Sequence, residues 1–142
     1  IQPAPQTVRA IPSWEWLKLH IDPARSKALV AAASRVSALE RVGDPDLLDQ
    51  RLRALPGIGV WTSAEVRFRA LGDPDAVSFG DYHVAANIGW ALTGSPIDDA
   101  ELAVLLEPWR PHRHRVQRLI ELAGLSRPRH GPRMAPRTHL PR

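Results

Sequence analysis

The chain contains no cysteine, which excludes a disulfide framework, a thiolate zinc site and a cysteine-held iron–sulfur cluster. No apolar run approaches the roughly 20 residues that a membrane-spanning helix requires. The opening Ile1-Gln2-Pro3-Ala4-Pro5 lacks the basic-then-apolar plan of a signal peptide. These absences predict a cytosolic protein with no membrane partner. Strand-like alternation long enough to build a sheet is missing too, as is any internal repeat. The C-terminal stretch lacks acid: residues 126–142 hold Arg127, Arg129, Arg133, Arg137 and Arg142 among four prolines, with no Asp or Glu. The preceding 125 residues carry 14 Lys and Arg against 15 Asp and Glu, so the net charge of +4 arises in this stretch. It reads as an extended basic tail that suits a polyanion or serves solubility.

What is present is one compact domain's worth of chain, 142 residues with 44% apolar and 24% charged side chains. Residues 1–12 are Pro-rich and predicted extended. Ser13 can cap a short helix carrying Trp14, Trp16 and Leu17. Asp22-Pro23 supplies an N-cap followed by proline at the first helical position, and Leu29, Ala32, Ala33, Val36 and Leu39 repeat at helical spacing. One helix over 23–41 is expected. Asp44-Pro45 repeats the device before Leu48, Leu52 and Leu55, and a third helix follows with Trp61, Ala64, Phe68 and Leu71 as its buried stripe. Gly72-Asp73-Pro74-Asp75 reads as an exposed turn and Ala76–Gly80 as a connector. Further helices are predicted over Tyr82–Leu92, over Asp99–Leu106 behind a capping box of Asp98 and Glu101, and over Pro111–Leu122. The fold class is therefore an all-α orthogonal bundle, with helices over 13–125 and the tail over 126–142.

The corner Leu55-Pro56-Gly57-Ile58-Gly59 stands out. Both glycines can take positive φ, Ile58 can turn inward as an anchor, and backbone amides are left free beside the N-terminus of the next helix, whose dipole favours an anion. Thr62 adds a hydroxyl donor. A bare Pro-Gly is also an ordinary helix stop. Downstream, Ser78-Phe79-Gly80-Asp81-Tyr82-His83-Val84 puts Asp81 at a helix start, where an N-cap is the ordinary role of an aspartate and one compatible with an ionised functional carboxylate. The set Leu-Pro-Gly-Ile-Gly, the following Trp61-Thr62 and this later Asp resembles the helix-hairpin-helix DNA glycosylase superfamily, in particular its alkylpurine (3-methyladenine) branch. The resemblance runs from about Trp14 to Leu122.

That resemblance implies base-excision repair: hydrolysis of the N-glycosidic bond of alkylated purines in double-stranded DNA after the base is flipped out. Asp81 falls at the catalytic position, Gly57, Ile58, Gly59 and Thr62 in the DNA-gripping hairpin, and Trp61 and Tyr82 at the base pocket, with Trp90 a weaker candidate. Trp61 occupies the place of the lysine that bifunctional members use as nucleophile, which implies base removal without strand cleavage. No cofactor is implied. His112, His114, His130 and His139 have neither the spacing nor the context of a closed metal site. Arg110 and Arg113, with Arg115 and Arg118, are candidates for phosphate contacts or a solvated face. The sequence departs from the family's aromatic pocket at Glu65 and Glu121. Family members have earlier helices that this chain lacks, so a C-terminal portion of a larger, monomeric enzyme is expected, with activity of the portion alone in question. The competing expectations are a catalytically silent helix-hairpin-helix module that holds DNA, and a helical interaction domain without a nucleic-acid role.

Overall fold

The computed structural model describes residues 2–128, whose regular elements are all helices, with no strand among them. Nine α-helices follow in order: α1 (Pro5–Ala10), α2 (Ser13–Lys18), α3 (Pro23–Ser34), α4 (Val36–Leu39), α5 (Pro45–Arg53), α6 (Val60–Leu71), α7 (Val84–Thr93), α8 (Asp99–Leu106) and α9 (Arg113–Leu122), with a 3₁₀ turn over Glu107–Trp109 before the last. None of these helices is long and apolar enough to cross a membrane. The basic stretch from residue 129 to the C-terminus lies outside the described residues. Residues 126–128, the described start of the basic tail, have no regular secondary structure, and the Arg127 amide donates to Asn87 Oδ1 at 3.1 Å.

The local devices form as the sequence dictates. Asp22 Oδ1 accepts from the Arg25 amide at 2.9 Å and Asp44 Oδ1 from the Leu47 amide at 2.7 Å, each with proline at the head of its helix. The Asp98–Glu101 capping box closes reciprocally at 2.9 and 3.0 Å. Three expectations are corrected. Residues 1–12 are not extended throughout, because Pro5 heads a short helix, where its missing N–H costs nothing, and that helix packs on α3. Ser13 is the first residue of α2 and makes no cap. The helix expected over 23–41 breaks at Arg35, directly after Ser34, whose hydroxyl donates back to the Val30 carbonyl at 2.8 Å and competes with the backbone ladder. Leu29 faces solvent, and α3 buries Ser26 and Ala28 instead.

Two apolar clusters hold the bundle. Val42, Leu48 and Leu52 pack with Ile58, Val66 and Leu71 between α5 and α6. Val77, Val84, Ala85, Ile88, Leu102, Leu106 and Ile120 join α7, α8 and α9. Burying each such Leu or Ile side chain contributes about 1.5–3 kcal/mol. Gly89 lets the second cluster close: a Cβ there would lie 2.6 Å from Ile97 Cγ1 and 2.8 Å from the Ser95 carbonyl oxygen, so only glycine admits the loop after α7. Between the clusters run the turn at residues 73–75 and the connector at 76–80.

Candidate functional site

The corner between α5 and α6 is built from its glycines and one inward side chain. Gly57 has φ 83°, and a Cβ on it would sit 3.4 Å from that of Ala28, so the turn lies close against α3. Ile58 packs into the α5–α6 cluster as an anchor, as expected. The expectation of a second positive φ does not hold: Gly59 is extended, with φ −97° and ψ −176°. It is the N-cap of α6 and supplies no side-chain cap. The first-turn amides of α6, up to half-buried Thr62, therefore have no intrahelical partner, and the helix dipole adds positive potential where they point. Among the described residues, none but its chain neighbours comes within 4 Å of a Cβ built at Gly59, so the space on that side of the turn is open.

Asp81 is reached through a connector whose first half is anchored. Ala76, Val77 and Ser78 are buried, and the Ser78 amide donates to Gln117 Oε1 at 3.1 Å. The Gly80 amide donates to Asp99 Oδ2 at 2.8 Å, and Gly80, at φ 84°, lies against Trp61 with 3.8 Å between a built Cβ and the Trp61 Cβ. Asp81 Oδ1 then accepts from the amides of His83 and Val84, at 2.8 and 3.2 Å, at the entry to α7. Among the described residues Oδ2 has no hydrogen-bond partner and the carboxylate enters no salt bridge. Asp81 is therefore not the N-cap expected of it: it stands two residues ahead of His83, the N-cap of α7, and holds the helix entry with one oxygen while the other has no partner among the described residues.

That carboxylate opens on a cleft of about 300 Å³ shared with Trp61, Glu65, Ser78, His114, Gln117, Arg118 and Glu121. The structure brings Trp61 and Asp81 together here, with Trp61 44% exposed rather than buried on the α6 stripe. The cleft's polar lining is connected. Ser78 Oγ donates to Glu65 Oε1 at 2.6 Å, Gln117 Nε2 donates to Ser78 Oγ at 3.2 Å and to Glu121 Oε1 at 2.9 Å, and Arg118 Nη1 donates to Glu121 Oε2 at 2.6 Å. Arg69 pairs with Glu65 Oε2 at the rim. Burial tends to raise the Glu65 pKa, but the Ser78 hydroxyl, Arg69 and the neighbouring His114 together hold it below the ordinary carboxylate value. His114 is 4% exposed and stacked at 4.0 Å on Phe68. Its burial pushes the imidazole pKa down. The Ala76 carbonyl beside it opposes that shift without reaching hydrogen-bond geometry, and both ring nitrogens are buried without partners.

Other expected site residues lie elsewhere. Tyr82 is 91% exposed and stacks edge-on against His83 at 4.8 Å. The Asx turn at Asp81 directs it outward, so it does not line the cleft. Arg113 is withdrawn from any phosphate-facing surface: its Nε and Nη2 donate to Asp75 at 2.8 and 2.5 Å, and its side chain is only 12% exposed. Arg110 is half-exposed, pairing with Glu107 at 2.9 Å and more loosely with Asp75 at 3.5 Å. The turn read as exposed is internal: Asp73 is buried against Arg67 at 2.6 Å, and Asp75 Oδ1 also accepts from the Arg113 amide at 3.0 Å. Sequence reasoning missed His114 and Gln117 as cleft residues. The signal was available, since 114, 117 and 121 fall on one face of a helix at i, i+3 and i+7. A larger groove of about 420 Å³ between α2 and α3, lined by Trp16, Leu17 and Val30, is apolar and brings no chemistry of this kind.

The chain is 32% identical over 99 residues, 67% of its length, to proteins from two strains of Mycobacterium tuberculosis named "Probable bifunctional transcriptional activator/DNA repair enzyme AlkA". It spans 20% of the length of those relatives. No family model and no solved structure matches it.

Proposed function

We propose that this chain forms part of a DNA-repair glycosylase that hydrolyses the N-glycosidic bond of alkylated purines in duplex DNA. One observation carries the reading: an aspartate with a free carboxylate oxygen and the exposed Trp61 share one cleft, and Trp61 stands two residues after the uncapped glycine that opens α6. Similarity to relatives named as a DNA repair enzyme supports it.

In this reading the α5–α6 corner acts as a helix-hairpin-helix. Its amides from Gly59 onward, with Thr62, hold a backbone phosphate, and half-exposed Arg110 adds a cation nearby. The damaged nucleotide leaves the stack and enters the cleft, where Trp61 stacks on it. The glycosidic bond breaks with its electron pair leaving on the base, and the sugar develops positive charge at C1′. Asp81, ionised and pinned by the amides of His83 and Val84, stabilises that charge. Water then adds its oxygen to C1′, and its proton leaves to solvent or to the base. Trp61 offers no amine for a Schiff base, so the strand stays intact.

The test is excision of alkylated purines from duplex DNA by the full-length protein that carries this chain, comparing wild type with Asp81→Asn. We expect base release to fall by roughly 100-fold or more, with DNA affinity kept. Wild-type protein that binds DNA but releases no alkylated base would make the chain a DNA-holding module instead. Strand cleavage at the released site would refute the hydrolytic mechanism.

A further inference from the structure

The cleft beside Asp81 is lined with carboxylates and amides where a pocket for flat, apolar recognition would carry aromatic rings. Trp61 is its one exposed aromatic wall, and Phe68, the other aromatic there, is covered by His114. Glu65 Oε1 accepts from Ser78 and Oε2 from Arg69, while Glu121 accepts from Gln117 and Arg118. A carboxylate offers about four lone-pair sites, so each keeps acceptor capacity toward the cleft. Arg69 and Arg118 are the outermost members of this network, with side chains 64% and 50% exposed against 23% for Glu65. Fully buried Ser78 and Gln117 tie the two acids to the floor. His114, 4% exposed, borders the same cleft with its ring stacked on Phe68 and both ring nitrogens out of reach of solvent.

We propose, resting on the glycosylase reading, that Glu65 and Glu121 are specificity-determining residues, making the cleft an acceptor pocket that selects a cationic purine bearing exocyclic N–H donors. Such a base satisfies the free carboxylate lone pairs, and its positive charge meets both the acids and the Trp61 face. A neutral base that turns a carbonyl toward the acids leaves them unsatisfied and is rejected.

The test measures single-turnover excision by the full-length protein from duplexes carrying 7-methylguanine, a cation with an exocyclic amino group, or hypoxanthine, neutral and without one. Rates are divided by the uncatalysed loss of each base. The expected wild-type preference for 7-methylguanine is roughly tenfold or more. Glu65→Gln, which keeps size and the Ser78 bond, lowers that preference by about fivefold, and pairing it with Glu121→Gln lowers it further. Thermal melts establish that both variants are folded. A wild-type preference near unity, or one unchanged in the folded double variant, overturns the proposal. Wild-type protein that excises neither base counts against the glycosylase reading, and titration of the nucleoside 7-methylguanosine, which keeps the positive charge that the free base loses, into the ¹⁵N-labelled chain then decides the pocket assignment. Shifts at Ser78 and Gln117 that Glu65→Gln weakens uphold it, and absence of binding overturns it.

Discussion

An alanine at Gly57 must hold φ near 83° with its Cβ 3.4 Å from Ala28, and the left-handed conformation alone costs about 1–2 kcal/mol. At Gly59 the backbone is extended and nothing lies within reach of a new Cβ. The two substitutions therefore separate folding from binding. Gly57→Ala should lower stability by about 1–2 kcal/mol, measured by denaturant unfolding. Gly59→Ala should cost less than about 1 kcal/mol yet weaken binding to duplex DNA, because the new methyl stands where a phosphate approaches. Equal affinity for the Gly59→Ala variant would remove the hairpin from the DNA interface. His114 gives a second residue-scale expectation. Its folded pKa is depressed, so the unfolded chain binds the proton more readily. The stabilising contribution is complete above the ordinary imidazole value of about 6.5 and is lost as the pH falls through the lower folded value. His114→Phe should flatten that part of the melting-temperature profile between about pH 7 and 5.

Helix α9 is held at its head by residues distant in the sequence. Its opening amides are met by the turn before the connector: the His114 and Arg115 amides donate to the Pro74 carbonyl at 2.9 and 3.3 Å, and the Arg113 amide to Asp75. Burial resists ionisation of Asp75, but the guanidinium and amide of Arg113, with Arg110 behind them, hold its pKa below the ordinary value. This pair positions the helix that carries His114, Gln117 and Glu121 into the cleft. Asp75→Asn should destabilise by about 3 kcal/mol, since it strands the largely buried Arg113 guanidinium. In wild type the same contribution is present above the ordinary carboxylate range and lost as acid takes the pH below about 4. A melting temperature unchanged by the substitution would contradict the latch. What the sequence made legible divides along the same line. Caps at Asp22, Asp44 and Asp98 act within three residues and could be read directly. The Asp75–Arg113 pair joins positions 38 apart, so the turn looked exposed and the arginine available. Asp81 was legible as a helix entry, but its place beside Glu65 and Gln117 depends on how α6 and α9 pack.

At the scale of the molecule, the α5–α6 cluster and the α7–α9 cluster meet along α6, the connector and α9, and the cleft lies at that seam. Residues on opposite walls therefore come from separate packing units, which is why no single sequence window contained the site. The 125 residues before the basic stretch carry a net charge of −1, so any attraction of this helical part to DNA rests on local arrangements such as the uncapped head of α6 and not on its summed charge. The central claim is that the glycine corner and Asp81 face the same DNA strand. Titrating the ¹⁵N-labelled chain with a duplex containing one abasic-site analogue tests it most directly. The account predicts that amides of Gly57–Thr62 and of Asp81–Val84 shift together along one binding curve. Shifts confined to other helices, with both of these segments unmoved at saturation, would contradict it.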